Sequence, residues 1–418
     1  MIVVEAPSRA LPRSYLVWLL GSTVSRFGDA VLMFALGWAA SGLGGMTAAL
    51  VLTVSGLPRL VLLVVGGAVA DRVGARRILI AGEAALLALT VVLAVALARF
   101  GTPAWLLLAS SLALGTVSAF CLPAAGSQPR RLVPDDQLSR ALALRQGVGQ
   151  AVLMAAAPLG GLLVGWVGVA AVAWGDAVTL GVGLCVLIAV RDLSDSAPGT
   201  VAGSAIPRLD LADGFRVVAR TPGLRSAFLL VGAGAALMLP VPSLLVPLLG
   251  RASAWSAGET GIVAGAVGVG VIGAALLTAR RRRPSASARV GTGHAATGLA
   301  VGAAGAFVLA AGPMLGGRGA GPVAVVGALA FGVGHGIFVA RLAPLVLGRA
   351  PRTHLARVQA LVGLVQLVPV MVTNSVLGAL AEHTSPGWSL GATSAALAVC
   401  AAWARRFGQP HGATSRSA

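Results

Sequence analysis

Several ionisable side chains lie inside apolar stretches of this sequence, where they could bind a proton or an ion. Asp29 follows Arg26 by three positions, and Arg59 lies in the next apolar stretch. At 1.5 Å per helical residue, Asp29 would lie roughly 20 Å from the start of its stretch and Arg59 roughly 18 Å from the end of the next. These matching depths predict that Asp29 forms an ion pair with Arg59 or with Arg26. Asp29 is the candidate for proton binding, and a purely structural ion pair is the alternative.

A second polar group lies in a later apolar stretch, where His335 and Arg341 would be roughly 21 and 12 Å from the end that is followed by arginines. Because His335 lies between Gly334 and Gly336, a packing role is the alternative for it. Aromatic residues concentrate in the stretch that contains Asp29 and in the stretch that contains His335. Such a mixture of polar and aromatic groups suits an amphipathic organic molecule. The candidates for a binding cavity are Ser25, Trp18, Phe34, His335, Phe338 and Arg341.

Other chemistry finds little support in the sequence. The stretch 268–273, GVGVIG, satisfies a dinucleotide-binding pattern, but it lies inside an apolar run with no strand before it, where glycines let helices pack closely. No phosphate-binding G-x-x-x-x-G-K-[ST] occurs, and no hydrolase motif of the G-x-S-x-G or H-E-x-x-H type. The three cysteines form no C-x-x-C pair. We therefore expect no enzyme, no cofactor and no bound metal.

The elements that must position these groups are membrane-spanning helices. Hydrophobic residues make up 57% of the chain and charged residues 11%, against about 25% charged in soluble domains. A helix needs about 20 apolar residues to cross the hydrocarbon core of a membrane. The sequence predicts an all-α membrane protein with twelve transmembrane helices, over 15–39, 46–70, 78–98, 104–126, 146–167, 169–190, 226–249, 260–279, 290–312, 322–347, 358–381 and 387–404.

The arginines predict the orientation of these helices. With the N-terminus in the cytoplasm, the cytoplasmic segments carry 25 of the 31 basic residues and the outer loops carry 3. This bias indicates an even number of spans with both termini cytoplasmic. The net charge of +18 does not indicate nucleic-acid binding, because the arginines are distributed in small groups between apolar runs rather than along one face.

The longest polar connection divides the chain into two halves. Residues 191–225 include DSDSAPGTVAGS, which is typical of a flexible linker, and then a segment with Leu209, Phe215 and Val218 on one side of a short surface helix. We therefore predict a six-helix bundle over 1–190, a cytoplasmic linker with an amphipathic helix over 191–225, a second six-helix bundle over 226–404 and a cytoplasmic tail over 405–418.

The loop after the second predicted span carries an unusual cluster of charge. The stretch GGAVADRVGARR places an acid and three arginines at the spacing G-x-x-x-D-R-x-G-x-R-R. The arginines would hold the loop on the cytoplasmic side, and the glycine at position 74 would permit a tight turn. The stretch resembles the loop signature of the major facilitator superfamily. The resemblance implies a cytoplasmic gate, in which the acid contacts the second half, formed by Gly67, Asp71, Arg72, Gly74, Arg76 and Arg77.

Further stretches resemble the twelve-helix drug:proton antiporters of the macrolide efflux and enterobactin exporter subgroup, among them SRFGDAVLMFALGW, LVPDDQLSRALAL and WGDAVTL. The resemblance implies a monomer in a bacterial cytoplasmic membrane that exports an amphipathic small molecule, such as an antibiotic, a drug or a siderophore, in exchange for protons. A role in multidrug resistance would follow. An importer, a uniporter or a lipid flippase of the same fold is the first alternative. A membrane sensor or assembly partner that transports nothing is the second.

Overall fold

The computed structural model describes residues 10–65, 75–190, 222–280, 290–315, 320–349 and 355–408, and all regular structure within them is helical. The first four helices are α1 (Arg13–Ser41), α2 (Gly45–Val65), α3 (Ala75–Phe100) and α4 (Ala104–Leu132). The remaining helices are α5 (Leu138–Ala189), α6 (Pro222–Met238 with its continuation), α7 (Ala257–Arg280), α8 (Val290–Ala311), α9 (Ala320–Arg349), α10 (Leu355–His383) and α11 (Pro386–Gly408).

The prediction of a multi-pass helical membrane protein is confirmed. Among the described residues, nine helices are long and apolar enough to cross a membrane, and two shorter apolar helices cover Gly45–Leu60 and Ala295–Ala311. The described residues form eleven helices rather than twelve separate ones. The difference arises because the predicted spans 146–167 and 169–190 belong to one helix, α5, of 52 residues.

Helix α5 is interrupted at Gly168, which has φ 80° and ψ 170°. Glycine accepts this conformation because it has no Cβ. Before the break, Gly160 packs against Phe34 of α1, whereas after the break Val186 packs against Gly21, nearer the start of α1. The chain therefore reverses its direction at Gly168. The two limbs are called α5a, up to Gly168, and α5b, after it.

Helix α6 is also irregular. Its first part, Pro222–Met238, passes into a π-helical turn over Val241–Leu245 and then into a last α-helical stretch over Val246–Ala252. Prolines at positions 240, 242 and 247 lack the N–H that a regular helix uses, so they favour this break. The stretch Val246–Gly250 is buried against its neighbours.

The helices pack in two groups. In the N-terminal group, α1 packs against α5, α3 against α4 and α5, and α2 against α4; in the C-terminal group, α9 packs against α7 and α8, and α8 against α11. The groups meet where α5 contacts α7 and where α2 contacts α10. The predicted loop residues Gly67, Asp71, Arg72 and Gly74 lie outside the described residues, and so does most of the predicted linker.

Candidate functional site

The two groups are joined at one face of the molecule, the face at which α1 ends and α2 begins, here called the Gly42 face. Arg251, in the last turn of α6, reaches the end of α1. Its Nη2 donates a hydrogen bond of 3.0 Å to the carbonyl oxygen of Trp38, and its guanidinium carbon lies 3.7 Å from the centroid of the Trp38 ring. One side chain thus forms a polar and a cation–π contact across the two groups.

A second polar contact across the Gly42 face joins α10 to α2. The Glu382 side chain accepts a hydrogen bond of 2.7 Å from the backbone N–H of Met46, in the first turn of α2. A carboxylate is favoured there because the first N–H groups of a helix have no partner within it. Beside this bond, Gly45 and Gly378 pack so closely that a Cβ on Gly45 would overlap the Gly378 carbonyl oxygen. The helix pair is therefore in backbone contact.

The contact between α5a and α7 is equally close. A Cβ on Gly161 would overlap the carbonyl oxygen of Ala257, and one on Gly265 would press on Pro158. The two groups are thus in close contact at the Gly42 face.

A cavity of about 900 Å³ is lined by the half of α5a that lies farther from the Gly42 face. Its described lining comes from α1, α4 and α5a and combines charged, amide and apolar side chains. Such a lining suits a molecule that has both polar groups and an apolar body. The lining side chains that carry charge or an amide are Arg26, Asp29, Arg145, Gln146 and Gln150.

Asp29 occupies a central place, because it lines two further cavities as well. One, of about 170 Å³, is also lined by Arg26 and Glu83, and the other, of about 290 Å³, by Arg59 and Asp176. Within the described part of the chain, neither guanidinium forms an ion pair with the Asp29 carboxylate. Asp29 therefore lies between two acids and two arginines, and the predicted charge partners Arg26 and Arg59 lie on opposite sides of it.

Glu83 of α3 reaches α1 because Gly183 of α5b leaves room for its carboxylate. Its Oε1 accepts a hydrogen bond of 2.6 Å from the hydroxyl of Ser25. The carboxylate occupies the space that a Cβ on Gly183 would fill. Ser25 is buried by this contact and lines the smallest of the three cavities, together with Glu83 and Asp29.

Asp176 of α5b fills a similar gap on α1. A Cβ on Gly28 would overlap Oδ1 of Asp176 and the hydroxyl of Thr179. The structure thus places Asp176 beside Gly28, one position from Asp29. The helix after Gly168 runs back along α1, and this brings the two aspartates to similar depth.

The predicted cavity residues are dispersed. Trp18 is buried, lines the smallest cavity together with Asp29, and has the Arg145 guanidinium carbon 5.6 Å from its ring centroid. Phe34 packs against Gly160, and the ring of the buried Phe338 packs against Gly234 of α6. His335 and Arg341 are half-buried on α9. The role of the predicted cavity residues in substrate binding stays a prediction.

Of the predicted gate residues, Arg76 and Arg77 are described. Arg76 donates hydrogen bonds of 3.0 and 3.2 Å to the carbonyl oxygens of Ile188 and Val190, at the end of α5b. Arg77 is exposed. Arg76 therefore binds the C-terminal end of a helix of its own group, where a cation is favoured.

Sequence reasoning missed Arg145, Gln146 and Gln150 as cavity residues. It began the fifth span at position 146 and assigned Arg145 to a loop, whereas α5 begins at Leu138. The two glutamines are four positions apart, so they share one face of the helix. That spacing was the available signal, and the polar character of the stretch obscured it.

Comparison with known proteins identifies the fold. The family model described as Major Facilitator Superfamily matches residues 18–373. A crystal structure of a bacterial homologue of the iron transporter ferroportin in an inward-facing state is similar, with 16% identity and TM-score 0.72 over 96% of this chain and 100% of that chain. The nucleoside transporter NupG is similar at 13% identity and TM-score 0.74, over 96% of this chain and 100% of that one. A POT family transporter in complex with 5-aminolevulinic acid has 13% identity and TM-score 0.70, over 95% and 96%. No curated protein matches the sequence.

Proposed function

Because the chain belongs to the major facilitator superfamily and is a transporter rather than an enzyme, we propose that it exports an amphipathic small molecule by alternating access, in exchange for protons. The single observation that carries this proposal is the cavity of about 900 Å³, in which Asp29 and two arginines share the lining with apolar side chains. The cargo is an antibiotic, a drug or a siderophore-like compound, and the resemblance to drug:proton antiporters supports this class.

The proposed topology has twelve spans in two six-helix bundles, with α5a and α5b counted as separate spans. A helix of 52 residues would be about 78 Å long if straight, more than twice the hydrocarbon thickness of a membrane. The break at Gly168 supports two crossings. The distribution of arginines supports cytoplasmic termini in a bacterial plasma membrane, with the Gly42 face outside.

In this topology the described conformation is the inward-facing one. The contacts of Arg251 and Glu382 support a closed outer side, and the cavity of about 900 Å³ along the first half of α5a supports access from the cytoplasm. Export then requires the closure of the cytoplasmic side and the opening of the Gly42 face. The loop with Asp71, which lies outside the described residues, is proposed as the cytoplasmic gate that holds the outward-facing state.

The lining of the large cavity supports an amphipathic cargo. Leu142, Val152 and Leu153 supply apolar surface, while Gln146 and Gln150 supply amide groups that can donate and accept hydrogen bonds. The arginines at its wall suit a carboxylate or another anionic group on the cargo. Asp29 is the proposed proton site, because it faces this cavity and can exchange a proton while cargo is bound beside it.

Flux in proteoliposomes tests the proposal. Purified protein is reconstituted, the lumen is set one pH unit below the bath, and the uptake of radiolabelled erythromycin and of enterobactin is followed. In an antiporter, protons leave the lumen as cargo enters, so we expect cargo to accumulate above its bath concentration. Because antiport opposes the two fluxes in either orientation, randomly inserted protein gives the same sign.

The D29N variant is the matched control, since asparagine has the shape of aspartate without its titratable group. It is expected to lose pH-driven accumulation and to keep exchange of labelled for unlabelled cargo. Accumulation only with an acidic bath would indicate a proton-coupled importer, and equilibration without accumulation a uniporter. Transfer of fluorescent phospholipid between leaflets would indicate a flippase. If the protein supports neither cargo flux nor lipid transfer, a non-transporting role is favoured.

A further inference from the structure

A carboxyl oxygen without a partner lies inside the N-terminal group. Asp176 is 2% exposed, and its Oδ2 accepts no hydrogen bond from any described residue. Its Oδ1 lies 3.2 Å from the Thr179 hydroxyl, which is 2.9 Å from the Asp176 carbonyl oxygen and can donate to only one of them at a time. A buried acceptor without a partner costs about 1–3 kcal/mol, and more when it is charged. Asp176 therefore requires a proton or a cation.

The surroundings of Asp176 favour the proton. Asp176, Asp29 and Arg59 line the same cavity of about 290 Å³, which is large enough for water. Two carboxylates and one guanidinium would leave this cavity with a surplus negative charge inside the membrane. One proton on either aspartate makes the set neutral, and such neutrality is strongly favoured at this depth.

Other ionisable groups approach this set from the packed helices. Glu83 has its own hydrogen-bond partner in Ser25, and Arg26 is exposed in the cavity on the other side of Asp29. Neither lines the cavity that Asp176 lines. The charged and titratable groups of the described residues that line a cavity with either aspartate are thus Arg26 on α1, Arg59 on α2, Glu83 on α3, Cys121 on α4 and Arg145 on α5a.

We propose that Asp29 and Asp176 share one exchangeable proton, and that Asp176 is the donor that reloads Asp29. The inference rests on the proposed proton antiport. Asp176 lies beside Gly28, at a depth similar to that of Asp29. Asp29 lines the large cavity and Asp176 does not, so a proton on Asp176 can reach Asp29 from the side away from the cargo.

The transfer conserves charge within the cavity. The proton leaves the Asp176 carboxyl group and passes, directly or through one water, to the Asp29 carboxylate. Asp176 becomes the carboxylate, and Arg59 balances it as it balanced Asp29 before. The Thr179 hydroxyl, which lies beside Gly28, then donates its hydrogen bond to a charged oxygen of Asp176 rather than to a neutral one.

Infrared difference spectroscopy on the full chain in lipid nanodiscs tests this without any cargo. The carbonyl stretch of a protonated carboxyl group reports the shared proton. We expect D176N to lose this band, because Asp29 is then balanced by Arg59 alone. We expect D29N to lose the band as well, because Asp176 is then balanced by Arg59 alone. The double variant D176N/R59Q is expected to recover a band, because the cavity of about 290 Å³ then holds the Asp29 carboxylate without Arg59, and a proton is needed to make it neutral.

The outcomes separate the shared proton from simpler arrangements. A band that persists unchanged in D29N would mean that Asp176 is protonated by itself, and a band that persists in D176N would mean that Asp176 holds no proton; either result overturns the proposal. Loss of the band when NaCl replaces choline chloride would also overturn it, because a metal cation would then occupy the site. T179V keeps both carboxyl groups and is expected to shift the band, since it removes the hydroxyl donor.

Two further measurements keep the result independent of folding and of the proposed function. Gel filtration and thermal unfolding identify variants that are merely misfolded, and D176N is nearly isosteric with the native residue. In proteoliposomes, D176N is expected to lose pH-driven accumulation and to keep cargo exchange. If the native protein shows no proton-driven flux but the infrared pattern holds, the antiport proposal fails and the shared proton stands. If flux is proton-driven and D176N sustains it fully, the shared-proton proposal fails alone.

Discussion

The Arg251 side chain of the C-terminal group stacks on the Trp38 ring of the N-terminal group, with its guanidinium carbon 3.7 Å from the ring centroid. The same side chain donates a hydrogen bond of 3.0 Å to the Trp38 carbonyl oxygen. The contact exists only while the Gly42 face is closed. Any conformation that separates α1 from the end of α6 must break it. Arg251 therefore contributes directly to the free-energy difference between this conformation and one with an open Gly42 face.

We predict that R251A favours the state in which the Gly42 face is open. A cation–π contact contributes about 0.5–2 kcal/mol, which corresponds to a change of about 2–30-fold in the equilibrium between the two states. Spin labels at positions 77 and 405, introduced after replacement of the three native cysteines, would report a shorter distance across the opposite face. R99A removes an exposed arginine at the Gly42 face and should leave the distance distribution unchanged. Equal distributions in R251A and the native protein would contradict the prediction.

Two glutamates that bind the first turn of a helix should behave differently. Glu382 accepts the N–H of Met46 across the groups, whereas Glu259 caps its own helix through Ser256. Loss of such a cap costs about 0.5–2 kcal/mol. E382A should shift the same spin-label distances towards the state with an open Gly42 face. E259A should lower the thermal unfolding midpoint with little effect on those distances, and the reverse pattern would refute this assignment.

Gly161 and Gly165 lie one turn apart on α5a and offer a matched pair. A Cβ at Gly161 would overlap the Ala257 carbonyl oxygen, whereas at Gly165 nothing lies within 4 Å. Overpacking of this kind costs about 1–3 kcal/mol, so G161A should separate α5a from α7 and reduce the fraction of protein with a closed Gly42 face. G165A should have no such effect. Similar spin-label distances for both variants would contradict the close contact.

Arg76 and Arg77 should differ in their effect on stability. Arg76 donates to two carbonyl oxygens at the end of α5b, whereas Arg77 is exposed. Because hydrogen bonds of a charged donor contribute about 1.5–3 kcal/mol when buried and this one is partly exposed, R76Q should cost about 1–2 kcal/mol. Its thermal unfolding midpoint in detergent should fall, while that of R77Q should match the native protein. A larger loss of stability in R77Q than in R76Q would contradict the assignment of Arg76 as the residue that binds the end of α5b.

Hydropathy was sufficient to predict the helices, because a membrane requires about 20 apolar residues for each crossing. Glycine at position 168 marked the reversal between two spans that the structure joins into one interrupted helix. Asp29 was found because a charge in an apolar run is visible in the sequence itself. These features depend on local composition alone.

The neighbours of Asp29 were not predictable in the same way. The Glu83 carboxylate meets Ser25 across 58 positions of sequence, and the fit depends on the missing side chain of Gly183. Asp176 meets Gly28 because the second limb of α5 runs back along α1. Contacts of this kind follow from the packing of three helices, which no periodicity in one helix encodes.

The π-helical turn in α6 has a mechanical consequence. Prolines at 240, 242 and 247 remove backbone donors from this segment, so α6 has fewer backbone hydrogen bonds here than a regular helix. Arg251 lies at the end of the stretch that follows, and Val246–Gly250 within that stretch is buried. A bend at this turn would therefore move packed side chains together with Arg251, so that loss of the Trp38 contact is coupled to repacking at this end of the C-terminal group.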